Sequence, residues 1–120
     1  MNLLKTIRSF GPALLGMKNA FLSENNLRVH LLAAIIAIAL GIYFRVHQND
    51  WLWLVAAIGL VVIVEYLNTA IEKLTDIVSP EFDARAGNVK DIAAGAVLMA
   101  SLIALVIGVI VLWPYVAGVM

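Results

Sequence analysis

Apolar residues run in long blocks along this chain, and polar positions fall between those blocks or at regular intervals inside them. From Leu31 to Phe44 there is no charged residue. From Trp51 to about Ile71 the one charge is Glu65, and from Ile92 to Met120 there is none. An apolar stretch of roughly 20 residues is long enough to cross the hydrocarbon core of a bilayer as a helix. The first block is short by that measure. Arg28 and His30 on one flank and Arg45 on the other lengthen it, because such side chains reach back to the interface from a buried stem. The pattern predicts transmembrane helices over about 28–46, 51–76 and 90–116. A short turn at His47–Asp50 and a polar segment from Lys73 to Asp91 should join them.

Upstream, Leu3, Leu4, Ile7, Phe10, Leu14, Leu15 and Phe21 recur at helical spacing, with Lys5, Arg8, Lys18 and Asn19 largely off that stripe. This predicts an amphipathic helix over residues 1–24 that lies in the membrane interface, its basic face toward anionic head groups. The same stripe also allows packing on the protein's own surface. Pro12 is expected to bend or break this helix. Ser23, Glu24, Asn25 and Asn26 offer start residues for the next one. Lys5 and Arg8 precede no apolar run ending in a small-residue cleavage site, so the segment reads as retained. The expected fold is an all-α integral membrane protein, a single domain over 1–120 with three transmembrane helices and an N-terminal interfacial helix.

Composition agrees with this picture. Of 120 residues 63% are apolar and 13% charged, more apolar surface than a soluble globule this small could hide. Zero net charge excludes a broad attraction to nucleic acid. The absence of cysteine excludes disulfides and thiolate chemistry. Lys5, Arg8, Lys18, Arg28, Lys73, Arg85 and Lys90 fall on one side of three spans and only Arg45 on the other, so the first side is expected to be cytoplasmic. Tyr43, Phe44, Trp51, Trp53, Trp113 and Tyr115 then gather at the outer interface. Ala33, Ala37 and Gly41, and Ala96, Ala100, Ala104 and Gly108, recur every fourth residue, which permits close helix approach between subunits.

The candidate chemistry sits on the second span. Glu65, Asn68, Glu72 and Asp76 form one stripe running from inside the bilayer toward the cytoplasmic surface. An ionisable group at the depth of Glu65 costs about 2.5 kcal/mol or more without partners, so it is a functional candidate. An acid paired to a base for packing alone is the other reading, and the stripe itself holds no base. Glu24 and Lys90, beside Asp91, lie at the same membrane level as Glu72. Carboxylates and an ammonium at one depth suit a magnesium-nucleotide complex, since magnesium takes one or two carboxylates plus substrate phosphates. No phosphate-binding glycine loop or kinase catalytic-loop signature occurs. His30 and His47 stand alone in the sequence, on opposite sides of the membrane.

The segment Val64-Glu65-Tyr66-Leu67-Asn68-Thr69-Ala70-Ile71-Glu72-Lys73, with Asp76, Glu81-Phe82, Lys90-Asp91 and upstream Gly16, Ala20, Glu24 and Arg28, resembles the bacterial diacylglycerol kinase family, which includes undecaprenol kinases. The resemblance covers nearly the whole chain. It implies an ATP- and Mg2+-dependent lipid kinase of the bacterial inner membrane, multi-pass with a cytoplasmic N-terminus, acting in lipid metabolism on diacylglycerol or undecaprenol. It implies Glu65 as general base, Glu24 and Glu72 as magnesium ligands, and Lys90 with Asp91 on the transferring phosphates. Glu81, Phe82 and Asp83 would form a loop over the nucleotide, Asn68, Asp76 and Arg28 would support the site, and Glu65 and Lys18 would meet the lipid. It also implies a homotrimer with sites shared between subunits. Where diacylglycerol kinases have a glutamate, this chain has His30, and Arg28-Val29-His30-Leu31-Leu32 looks closer to the undecaprenol kinases. Asp83 replaces a histidine often found in the family's loop. A small oligomeric proton or cation transporter using Glu65 is the alternative from another class.

Overall fold

The computed structural model describes residues 2–118, and every regular element among them is a helix. The order is α1 Leu3–Arg8, α2 Phe10–Ser23, α3 Asn25–Tyr43, α4 Gln48–Val78 and α5 Ala84–Val116. Helices α3, α4 and α5 are long and apolar enough to cross a membrane. With the N-terminal helices they make the expected all-α membrane architecture.

Pro12 does not break the N-terminal helix. It occupies the first turn of α2, where its missing N–H has no helical partner to lose. The interruption falls upstream at Ser9, whose hydroxyl donates to the carbonyl of Thr6 at 2.6 Å. Leu3, Leu4, Ile7, Phe10, Leu14 and Leu15 are 55–65% exposed, so the apolar stripe is not packed on its own chain. That leaves lipid or a partner to cover it.

Glu24 has extended backbone (φ −112°, ψ 112°), ending α2 and opening α3. Arg28 folds back across this joint, and its guanidinium donates to the carbonyls of Leu22 at 2.9 Å and Phe21 at 3.4 Å. Those are orphan acceptors at the end of α2. Leu27, with no exposed surface, anchors the start of α3 in the bundle.

The first reversal comes at Phe44–His47, a few residues before its expected place. Arg45 turns the chain with a left-handed φ of 51°. His47 is the N-cap of α4, and Asp50 sits in its first turn, where the helix dipole favours an acid. The Tyr115 hydroxyl donates to Asp50 Oδ2 at 2.5 Å and accepts from the backbone N–H of His47 at 3.0 Å. Beneath this clamp Val46, Leu54 and Val111 form a small core flanked by Phe44, Trp51 and Tyr115. The ring of Trp51 also covers Gly41, where a Cβ would meet it at 2.6 Å. Gly41 therefore serves a contact inside the chain.

Helices α4 and α5 form the most extensive pair in the bundle. At 1.5 Å per residue they are about 46 and 50 Å long, more than the roughly 30 Å of a hydrocarbon core. Both must project beyond the membrane at one or both ends. The expected polar connection from Lys73 to Asp91 contracts to Ser79–Asp83, because Lys73–Val78 continue α4 and α5 is already formed at Ala84. Asp83 accounts for that early start, its carboxylate accepting from the backbone N–H of Arg85 at 2.8 Å as an N-cap. Val119 and Met120, the end of the charge-free run, lie outside the described residues.

Candidate active site

Three polar residues of α4 are buried within the span: Glu65 at 2% exposure, Thr69 at 3% and Asn68 at 6%. Glu72, further along the same face, is half-buried and Asp76 is exposed. The stripe thus grades from a dry carboxylate to a wet one. Glu65 lies about 20 Å from the end of α4, because the helix continues to Val78.

Each member of the stripe has a neighbour. Glu65 Oε2 stands 3.5 Å from Nε2 of His30 on α3, the nearest base to that carboxylate. Asn68 Nδ2 donates to Glu72 Oε1 at 3.3 Å and so steadies one oxygen of that carboxylate. Asp76 pairs with Lys90 across from α5. Asn68 Oδ1 and Thr69 Oγ1 are buried without a hydrogen-bond partner among the described residues. Buried polar atoms left this way are uncommon and mark a place where a ligand or water completes the set.

The joint carrying Glu24 is held against α4 from two points. The Tyr66 hydroxyl donates to the carbonyl of Met17 at 3.2 Å, and Lys73 Nζ donates to Ser23 Oγ at 3.4 Å. Ser23 and Lys73 are the chain neighbours of Glu24 and Glu72, so this contact brings the backbone at both glutamates to one level of the bundle. Among the described residues no group of three or more His, Cys, Asp or Glu side chains is arranged to hold a metal ion. Glu72, with the orphaned amide oxygen of Asn68 beside it, supplies the kind of oxygen donor that magnesium takes, its shell being completed from phosphates and water.

Other expected site residues have different local duties. Arg28 caps α2. Asp83 caps α5 and pairs with Arg85, whose guanidinium, then backbone N–H, hold the Asp83 carboxyl below its usual range. Asp91 is exposed beside Lys90, Glu81 and Phe82 are exposed on the connection, and Lys18 is exposed on α2. Sequence reasoning missed Thr69, although it sits four residues after Glu65 on the same face. It also left His30 unpartnered, since nothing local in the chain links residue 30 to residue 65.

An apolar groove of about 590 Å3 opens between α3, α4 and α5. Ala33, Ala37, Val61 and Gly108 line it, and its polar lining residues are His30 and Ser101.

The chain matches the family described as prokaryotic diacylglycerol kinase over residues 11–112. It is 30% identical over 111 residues to a diacylglycerol kinase of Escherichia coli K12, covering 92% of this chain and 91% of that one. It is 31% identical over 107 residues to an undecaprenol kinase of Bacillus subtilis 168, covering 89% and 87%. A diacylglycerol kinase of Synechocystis is 34% identical over 107 residues, which are 88% of this chain and 61% of the relative. The buried acid stripe, the three spanning helices and these matches agree: the chain belongs to the prokaryotic diacylglycerol kinase family.

Proposed function

We propose that this protein is a membrane lipid kinase that moves the γ-phosphoryl group of ATP, in the presence of Mg2+, to the hydroxyl of a lipid alcohol. The observation that carries the reading is the burial of Glu65 at 2% exposure, at the head of a stripe that emerges through Asn68 and Glu72 to Asp76 and Lys90. The acceptor is diacylglycerol or undecaprenol, the two alcohols named by the family's members.

Glu65 takes the proton of the lipid hydroxyl as that oxygen bonds to the γ-phosphorus. The bond from the γ-phosphorus to the bridging oxygen breaks, and ADP leaves with those electrons. Glu24 and Glu72 would hold magnesium, which neutralises phosphate charge when bound. Asn68 keeps one oxygen of Glu72 in place. Lys90 exchanges Asp76 for phosphate oxygens, a small change because water screens an exposed ion pair. Asp91 and the Glu81–Asp83 connection flank the nucleotide, and Lys18 faces the lipid head group. Phosphoryl transfer depends chiefly on positioning and charge neutralisation, so this small set suffices without a phosphate loop.

A homotrimer in the bacterial inner membrane, with the N-terminus cytoplasmic and sites completed between subunits, accommodates two further facts. The chain leaves broad apolar faces uncovered, and among the described residues it arranges no three or more His, Cys, Asp or Glu side chains to hold a metal by itself. An ion transporter would use Glu65 but leave the outer stripe without a task, and family membership speaks against it.

The test offers diacylglycerol and undecaprenol separately in mixed micelles, with MgATP labelled in the γ-phosphate, to wild type and Glu65→Gln. Label in one lipid, lost by about 100-fold or more in the variant, supports the base assignment and names the substrate. Full activity in Glu65→Gln would falsify it.

A further inference from the structure

The contact between His30 and Glu65 joins residues on two different spanning helices and involves the most deeply buried acid in the chain. Both side chains are well covered, at 3% for Glu65 and 24% for His30. A carboxylate in such surroundings has little water to orient it, so a neighbouring N–H decides which way its oxygens point. His30 also lines the apolar groove between α3, α4 and α5, so one imidazole borders both the groove and the acid.

We propose that His30 is a positioning residue for the phosphoryl transfer, its Nε2–H holding Glu65 Oε2 so that the other oxygen meets the lipid hydroxyl. This rests on the assignment of Glu65 as general base. The separation of 3.5 Å is longer than a good N–H···O hydrogen bond. Contacts of this kind are commonly long before substrate binds and shorten in the reacting complex. In the step itself the hydroxyl O–H bond breaks and its proton goes to the free oxygen of Glu65. The hydroxyl oxygen bonds to the γ-phosphorus of the nucleoside triphosphate as the bond from that phosphorus to the bridging oxygen breaks, and the nucleoside diphosphate leaves with those electrons. His30 exchanges no proton. It fixes the rotation of the carboxyl group, and its Nδ1 and ring edge remain available to shape the inner end of the groove.

The geometry separates positioning from simple packing. A glutamine at this position can still donate an N–H toward Glu65 from a side chain of similar reach, whereas alanine cannot. Removing the hold leaves Glu65 free to rotate, and misplacing a reacting group by about 1 Å costs on the order of 100-fold. The loss should fall on kcat, with KM for ATP unchanged, because nucleotide contacts lie at the other end of the stripe.

The experiment measures initial rates in mixed micelles for wild type, His30→Ala, His30→Gln, Glu65→Gln and the double variant His30→Ala/Glu65→Gln. The expected result is a fall in kcat of about 10- to 100-fold for His30→Ala and recovery of most of it in His30→Gln. His30→Ala should cause no further loss in the Glu65→Gln background, since the two act as one unit. Wild-type kcat in His30→Ala overturns the proposal, and so does a loss of the same size in the Glu65→Gln background. Loss in His30→Gln equal to that in His30→Ala, with both proteins folded by circular dichroism, also overturns it. If Glu65→Gln is itself fully active, the base assignment fails first, and that outcome is distinct from the others.

Discussion

A single amide illustrates how the site is braced. Asn68 reaches Glu72 through Nδ2, and its Oδ1 is left for a ligand or water. Asn68→Ala should remove both roles while leaving Glu65 in place. Activity should fall by about 10- to 100-fold and recover in part as magnesium is raised, as expected if Glu72 holds the metal as proposed and Asn68 orients it. A magnesium titration of the initial rate checks this, and an unchanged half-saturating concentration would count against it. The partnership was half legible. The i, i+4 spacing places Asn68 and Glu72 on one face, and the cost of burying polar groups marks the face as special. Which groups bond, and that Lys90 rests on Asp76 from another helix, depends on side-chain geometry that spacing does not carry.

At the scale of helices, the two connections explain where the elements end. Trp51 needs the bare backbone of Gly41, so Gly41→Ala forces a shift of the ring or of α3. Overpacking of this kind costs about 1–3 kcal/mol, to be read from reversible unfolding in mixed micelles. At the other connection Asp83 holds the first turn of α5, with its carboxyl kept below the usual range by Arg85. A lowered folded-state value means that the contact stabilises fully above the ordinary carboxylate range and is lost as pH falls through the lowered value. The carboxyl carbon of Asp83 should therefore titrate below free aspartate by nuclear magnetic resonance, and Arg85→Ala should move its midpoint upward. The apolar blocks located these helices but shortened them. Hydropathy marks what lipid covers, whereas Lys73–Val78 and Ala84–Asp91 are helical by capping and continuation.

For the whole molecule, the proposed sidedness rests on an uneven distribution of basic residues and an aromatic cluster at the opposite end. The chain has no cysteine, so single cysteines report sidedness cleanly. Ser79→Cys should react with an impermeant thiol reagent only from the cytoplasmic side, and Asn49→Cys only from the outer side. Labelling of both from one side would contradict the three-span arrangement. The order of the spans was legible because each crossing needs its own apolar length. The clamp of Tyr115 on Asp50 and His47 was not, since it closes on residues that lie 65 and 68 positions away in the chain.

The bend at Glu24 has one more consequence. The carboxylate proposed to hold magnesium is carried neither by the membrane-crossing bundle nor by the surface helix, but by the hinge between them. If Glu24 holds the cation as proposed, the seat of that helix on α4 through Met17 and Ser23 would decide whether the cation finds its full complement of oxygens. A surface rich in the lipid product, more acidic than the alcohol consumed, would draw Lys5, Arg8 and Lys18 toward it and alter that seat. Turnover would in this way answer to the composition of the membrane it changes, with α2 as the lever and Glu24 as its short arm.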